Sequence, residues 1–146
     1  LYLIDPDPEQ IQDHIDIRIS LEKLAVRKCI ERATDEDIAP ISNSLDAFEK
    51  ALQQKDYDAC NELDGEFHSL IAQMSKNNRL MSLLNDLSVF FQLVRSEEKR
   101  SHPQKKNICT LKEHRRIAKA IKNRDISAAK EAVEANIQTM RTNLFN

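Results

Sequence analysis

Apolar residues recur every three or four positions along almost the whole chain, which is the spacing of one face of an α-helix. Ile11, Ile15, Leu21 and Ala25 mark the first such face, and Asp7-Pro8-Glu9-Gln10 ahead of them supplies an N-cap, a proline at N1 and an acceptor at N3. A first helix is therefore predicted over about 8–33. Thr34-Asp35-Glu36-Asp37 starts a second, to about 54, with Pro40 kinking or delaying it. Asp56 caps a third, to about 76, and Asn77-Asn78 stop it and start a fourth. That fourth helix, about 79–100, carries Leu80, Leu83, Leu84, Leu87, Phe90, Phe91 and Val94, and Ser101-His102-Pro103 reads as a loop. Thr110-Leu111-Lys112-Glu113 has the pattern of a capping box opening a fifth helix to about 123, and Asp125 caps a sixth to about 145. Short connections between six amphipathic segments predict an all-α fold, an antiparallel bundle of about six helices forming one domain over 1–146.

Composition agrees with this reading. One glycine and four prolines in 146 residues leave little material for tight β-turns, while 40% apolar and 32% charged residues describe a globular chain. The formal net charge of −2 and pI of about 6.1 are unlike the basic face of a domain that grips nucleic acid by itself. Lys105-Lys106 is too small a cluster to track a phosphate backbone, so direct DNA contact is not expected. No stretch approaches the roughly 18 consecutive apolar residues of a membrane span, and no signal-peptide pattern is present. Three cysteines, Cys29, Cys60 and Cys109, without CxxC spacing suit reduced thiols in a cytoplasm, buried as small core hydrophobes. The chain opens LYLIDPDP without a methionine, which points to a fragment whose N-terminal portion is missing.

Candidate chemistry lies where polar residues interrupt the apolar faces. In ELDGEFHSLIA (62–72), Asp64 and His68 stand four apart at the edge of the stripe of Cys60, Phe67, Ile71 and Met74, with the sole glycine, Gly65, between them. His114 falls in the middle of the stripe of Leu111, Ile117, Ala118 and Ile121, and Asn136 among Ala129, Val133 and Met140. Burying an unpaired polar group costs roughly 2–7 kcal/mol, so inward polar residues on several helices must meet one another, a ligand or trapped water. A carboxylate and two imidazoles suit Zn²⁺, Mn²⁺, Fe²⁺ or Ni²⁺. The alternative is an Asp–His hydrogen-bonded pair with His114 bonded separately. Gly65 fits close packing of a neighbouring helix or close approach of a ligand. Arg18 and Arg95, on the apolar faces of the first and fourth helices, each need an anion: a carboxylate ligand, or an internal partner such as Glu22 or Glu49. His14 and His102 read as surface or loop residues.

Three blocks in order carry a family resemblance. DIRISLEKLAVRKCIERAT (16–34), DYDACNELDGEFHSLIAQMSKNNRL (56–80) and EHRRIAKAIKNRDISAAKEAVEANI (113–137) together resemble the effector-binding C-terminal domain of GntR-family transcription regulators, the FadR C-terminal or FCD type. Six helices rather than seven resembles the VanR-like subgroup. The resemblance implies a non-enzymatic sensor that binds a small organic acid inside the bundle, forms a homodimer, and acts on DNA through a winged-helix domain absent from this chain. It also implies a divalent metal (Zn, Ni, Mn or Fe) held by Asp64, His68 and His114, with Arg18, Arg95 and Asn136 around the ligand. Metal-binding members of the family carry a further histidine in the last helix, where this chain has Asn136, which offers only a neutral carbonyl. Two outcomes follow: three protein ligands with open coordination positions, or a metal-free site in which Asn136 and the histidines bond the effector. Two other classes compete with the sensor. One is a mononuclear metal-dependent enzyme on a helical bundle, the other a dimerisation bundle without any ligand.

Overall fold

The computed structural model describes residues 7–95 and 102–145, with Arg95 described by its backbone alone. Six helices and no strands occur among the described residues: α1 (Pro8–Arg32), α2 (Asp35–Gln53), α3 (Tyr57–Met74), α4 (Asn78–Arg95), α5 (Pro103–Lys122) and α6 (Ile126–Phe145). The all-α bundle expected from the pattern is the fold observed. None of these helices is long and apolar enough to cross a membrane.

Local chemistry sets the helix starts. Asp7 accepts the Glu9 amide at 3.1 Å to cap α1, and Thr34 and Asp37 exchange side chain-to-backbone bonds in a capping box on α2. Asp56, Asn77 and Asp125 accept the amides of Ala59, Leu80 and Ala128, capping α3, α4 and α6. Pro40 neither delays nor ends α2, which begins at Asp35 and runs through it. Pro40 and Glu36 are exposed, so water can take up the carbonyl that the missing proline N–H leaves over.

The predicted start of the fifth helix is wrong. α5 begins at Pro103, and Thr110 lies inside it, donating its hydroxyl to the Lys106 carbonyl at 3.1 Å. Pro103 presets the first helical φ, and Glu113 turns away from the local backbone toward α6, so no capping box forms. The end of the fourth helix predicted near 100 and the start of the loop at 101 fall outside the described residues. Two further expectations are corrected. Cys29 and Cys60 are buried, but Cys109 is exposed on the face of α5 that carries Lys112 and Arg116. His14 is half-buried, its ring stacked on Phe90 with centroids 3.8 Å apart.

α1 packs on α3, α4 and α6, α2 on α3 and α5, and α5 on α6. Ile15, Phe67, Ile117, Ile121, Val133 and Ile137 join these helices in one core, each 1% exposed or less. Each such side chain contributes roughly 1.5–3 kcal/mol of burial, so the scaffold around the interior polar residues is held firmly. Lys55, Lys76 and Arg124, just past the ends of α2, α3 and α5, take left-handed φ values of 57°, 55° and 54°. Those are positions where glycine is the usual residue. The only glycine of the chain sits elsewhere, inside α3.

Candidate metal and ligand site

Three helices bring one polar cluster together. Asp64 and His68 share a face of α3 because they are one helical turn apart. α1 presents Arg18 and Glu22, likewise one turn apart, and α5 presents His114. Phe67, fully buried on the next position of α3, lies flat against the His114 ring, with centroids 4.1 Å apart and planes 11° from parallel. This stacking fixes the imidazole so that its Nε2 stands 3.3 Å from Asp64 Oδ1. His68 turns its own Nε2 toward the same oxygen, at 3.6 Å.

The hydrogen bonds of the two histidines differ. His68 Nδ1 is 2.6 Å from Glu22 Oε1, and the other oxygen of that carboxylate accepts from Arg18 Nε at 2.6 Å. Burial alone would raise the Glu22 pKa, but Arg18 and His68 overcome it and lower the carboxyl to about 2. His114 is 0% exposed, and neither of its ring nitrogens has a hydrogen-bond partner among the described residues. Burial pushes its pKa down, against the opposing pull of Asp64, and so keeps the ring neutral at neutral pH. A simple Asp64–His68 hydrogen bond with His114 bonded separately is therefore not the arrangement. The short bond of His68 goes to Glu22, and His114 Nε2 is left with the 3.3 Å contact to Asp64.

These residues fit a divalent ion. One ligand atom each from Asp64, His68 and His114 lie within 4.8 Å of one another. Ligands about 2.1 Å from a common metal stand roughly 3.0–3.4 Å apart in octahedral or tetrahedral geometry, close to the 3.3 and 3.6 Å found. An unsatisfied imidazole inside a core ordinarily costs about 1–3 kcal/mol. A buried His114 whose nearest polar partner is Asp64 at 3.3 Å, without hydrogen-bond geometry, suits a metal ligand, which must present an unprotonated nitrogen.

A cavity of about 300 Å³ opens against this cluster, between α1, α3 and α4. Arg18, Glu22, Asp64, Gly65 and His68 form one wall, and Leu84, Ser88 and Phe91 the opposite one. Arg18 is held over the Phe91 ring at 5.3 Å and donates to Met140 Sδ at 2.8 Å, so it ties α1 to α4 and α6 while engaged with Glu22. Close helix packing does not account for Gly65, because a Cβ built there would meet nothing within 4 Å. The missing side chain borders open cavity.

On the far side of Asp64 and His68 is a second, small space of about 30 Å³, walled by Asn136, Glu113 and Thr139 among others. Asn136 Nδ2 donates to Glu113 Oε1 at 2.8 Å and Thr139 Oγ1 to Glu113 Oε2 at 2.6 Å. Asn136 is thus within the same polar region but bonded to α5. The Arg95 side chain lies outside the described residues. Glu22 was not singled out in the sequence as part of the site. Its signal was available: it sits three residues from both Ile19 and Ala25, in the middle of the buried stripe of α1.

Comparison with known proteins places this chain in a family. The FCD domain model matches residues 13–139. The HTH-type transcriptional regulator YdhC of Bacillus subtilis (strain 168) is 32% identical over 121 residues, covering 82% of this chain and 53% of that protein. The galactonate operon transcriptional repressor of Escherichia coli (strain K12) is 30% identical over 132 residues, covering 88% and 55%. The chain spans about half the length of these curated relatives. Among solved structures, E. coli McbR/YncC superposes with a TM-score of 0.87 at 18% identity, over 95% of this chain and 66% of that one. Streptococcus agalactiae GntR gives 0.77 at 26% identity, over 96% and 62%. The metal-free FCD domain of TM0439 gives 0.71 at 21% identity, over 95% and 94%. The chain belongs to the FCD domain family, the helical module of GntR-type transcription regulators.

Proposed function

We propose that this domain is the effector-sensing and dimerisation module of a GntR-type regulator. It binds a small organic acid in the cavity between α1, α3 and α4 and thereby changes DNA binding by an attached winged-helix domain. Asp64, His68 and His114 hold a divalent metal, and Arg18 supplies a cation for the carboxylate. The observation that carries this reading is His114: fully buried, without a partner in hydrogen-bond geometry among the described residues, and aimed with His68 at one oxygen of Asp64. A bound divalent ion offers positions outside its three protein ligands that a carboxylate can fill.

The cavity volume, at the small end of the roughly 300–1,000 Å³ of ligand pockets, suits a metabolite-sized acid. The galactonate operon repressor among the relatives makes galactonate a sensible first probe. An acid that binds one arrangement of the helices better than another shifts the population toward it, and a dimer reading two half-sites transmits that shift to DNA affinity. Support for a second copy comes from Ile17 on α1 and Val89 and Leu93 on α4, which are 51%, 57% and 51% exposed on two helices that pack together.

Elemental analysis of protein purified without chelator or metal-affinity resin tests the metal. Wild type should carry, or take up on titration with Zn²⁺, Mn²⁺ or Ni²⁺, about one ion per chain, and His114→Ala, with one of three protein ligands gone, should lose it. A wild-type chain that takes up none of the three ions would sink the metal reading. A rise in melting temperature with galactonate or citrate, absent in Arg18→Ala, is the expected mark of the carboxylate.

A further inference from the structure

The metal reading names three ligands, and two of them are imidazoles that must each turn an unprotonated nitrogen toward the ion. His114 is fixed by the face of Phe67. For His68 the structure offers a different restraint. Its Nδ1 lies 2.6 Å from Glu22 Oε1, on a carboxylate that is itself only 6% exposed. An ionised carboxylate accepts and cannot donate, so a contact this short requires the proton on Nδ1. In the neutral ring, that leaves the Nε2 lone pair directed at the Asp64 and His114 side.

Glu22 is in turn unable to swing away. Arg18 holds its second oxygen at 2.6 Å, and Arg18 is itself fastened between Met140 Sδ and the Phe91 ring. Histidine ligands of metals usually give their other N–H to a carboxylate or carbonyl, and removing that partner typically weakens metal binding by 10–100-fold. We infer that Glu22 is a positioning residue: by accepting the Nδ1 proton of His68, it fixes the tautomer and ring orientation in which Nε2 can ligate a divalent ion. The inference rests on the metal reading above. It adds that the site begins on α1, two residues deep, with Arg18 orienting Glu22 and Glu22 orienting His68. Arg18 then has a place in this order even before any acid enters the cavity.

The test joins a metal-independent measurement to a metal-dependent one. Long-range ¹H–¹⁵N spectra of the imidazoles of the 146-residue chain, in chelator at neutral pH, report the His68 tautomer directly. Wild type should show Nδ1–H. Glu22→Gln, close in shape but without the charge, should lose part of that preference and bind Zn²⁺ and Ni²⁺ about 10-fold or more weakly, while still unfolding cooperatively. A merely structural role would lower the melting temperature without moving the tautomer. His68 as Nε2–H in wild type, or unchanged tautomer and Zn²⁺ affinity in Glu22→Gln, would overturn the role of Glu22 and leave the metal reading standing. Wild type that binds neither Zn²⁺ nor Ni²⁺ would overturn the metal reading, and this inference with it, whatever the tautomer. The wild-type spectrum keeps the idea open to refutation even if the variant fails to fold.

Discussion

Two polar clusters share the interior of this bundle, and they are built on opposite principles. Glu113, Asn136 and Thr139 form a closed set between α5 and α6, in which each carboxylate oxygen has its own donor. Asp64, His68 and His114 form an open set: Asp64 and His68 border the cavity, and His114 is buried beside them without a partner in hydrogen-bond geometry among the described residues. A closed cluster stabilises the fold and asks for nothing further. An open one costs stability until something fills it, and natural cores carry few such groups. The contrast separates polar residues that serve packing from those to which the proposed function assigns binding, which inward orientation alone does not do.

Acid should break the contrast most strongly. Against burial, Arg18 and His68 lower the folded pKa of Glu22 to about 2 from its ordinary 4.5, so its contribution is complete above 4.5 and disappears as pH falls toward 2. The linked free energy is on the order of 3 kcal/mol. His114 acts in the same direction earlier. Its folded pKa lies below the 6.5 of the unfolded chain, so once pH drops below 6.5 the unfolded state takes up protons that the folded state refuses. Melting temperatures followed by circular dichroism in chelator should fall in two stages, beginning below 6.5 and steepening below 4.5. In Glu22→Gln the second stage should shrink. An unchanged acid profile in that variant would remove Glu22 from the account.

Apolar replacement sharpens the comparison at a smaller scale. His114→Leu removes an unsatisfied buried group at nearly constant volume, so the chelated protein should be as stable as wild type or up to about 1 kcal/mol more stable. Asn136→Leu takes a partner away from Glu113 and should cost about 1–3 kcal/mol. Urea denaturation of both variants decides this. Equal losses in the two would mean that the clusters are not different in kind.

The smallest expected effect belongs to Gly65. Its backbone is helical and a Cβ would meet nothing, so Gly65→Ala should stabilise the chain by about 0.5–1 kcal/mol. Chain segments where a left-handed residue would favour glycine use Lys55, Lys76 and Arg124. The methyl group would intrude only on the cavity. Gly65→Ala should therefore leave Zn²⁺ affinity unchanged and reduce the melting-temperature rise produced by galactonate or citrate. Equal ligand response in wild type and Gly65→Ala would show that no ligand approaches α3 at this point.

Helix number, type and most boundaries were legible in the chain because they depend on neighbours in sequence. Caps at Asp7, Thr34, Asp56 and Asp125 act over two or three residues, and apolar spacing reports a face without reference to what covers it. The start of α5 was misread for the same reason in reverse. Thr110-Leu111-Lys112-Glu113 has the right local pattern, but Glu113 has better partners on α6, 23 and 26 residues away. The sequence by itself also determined that Asp64, His68, His114, Arg18 and Asn136 face inward. Only the tertiary structure decided how they pair. It joined Glu22 to His68 across 46 residues, gave Asn136 to Glu113, left His114 facing Asp64 at 3.3 Å, and set Gly65 against empty space rather than against a helix. Periodicity fixes the side of a helix on which a residue lies. Distances of 3 Å between side chains on different helices depend on how the helices pack, rotate and slide, and no local pattern encodes that.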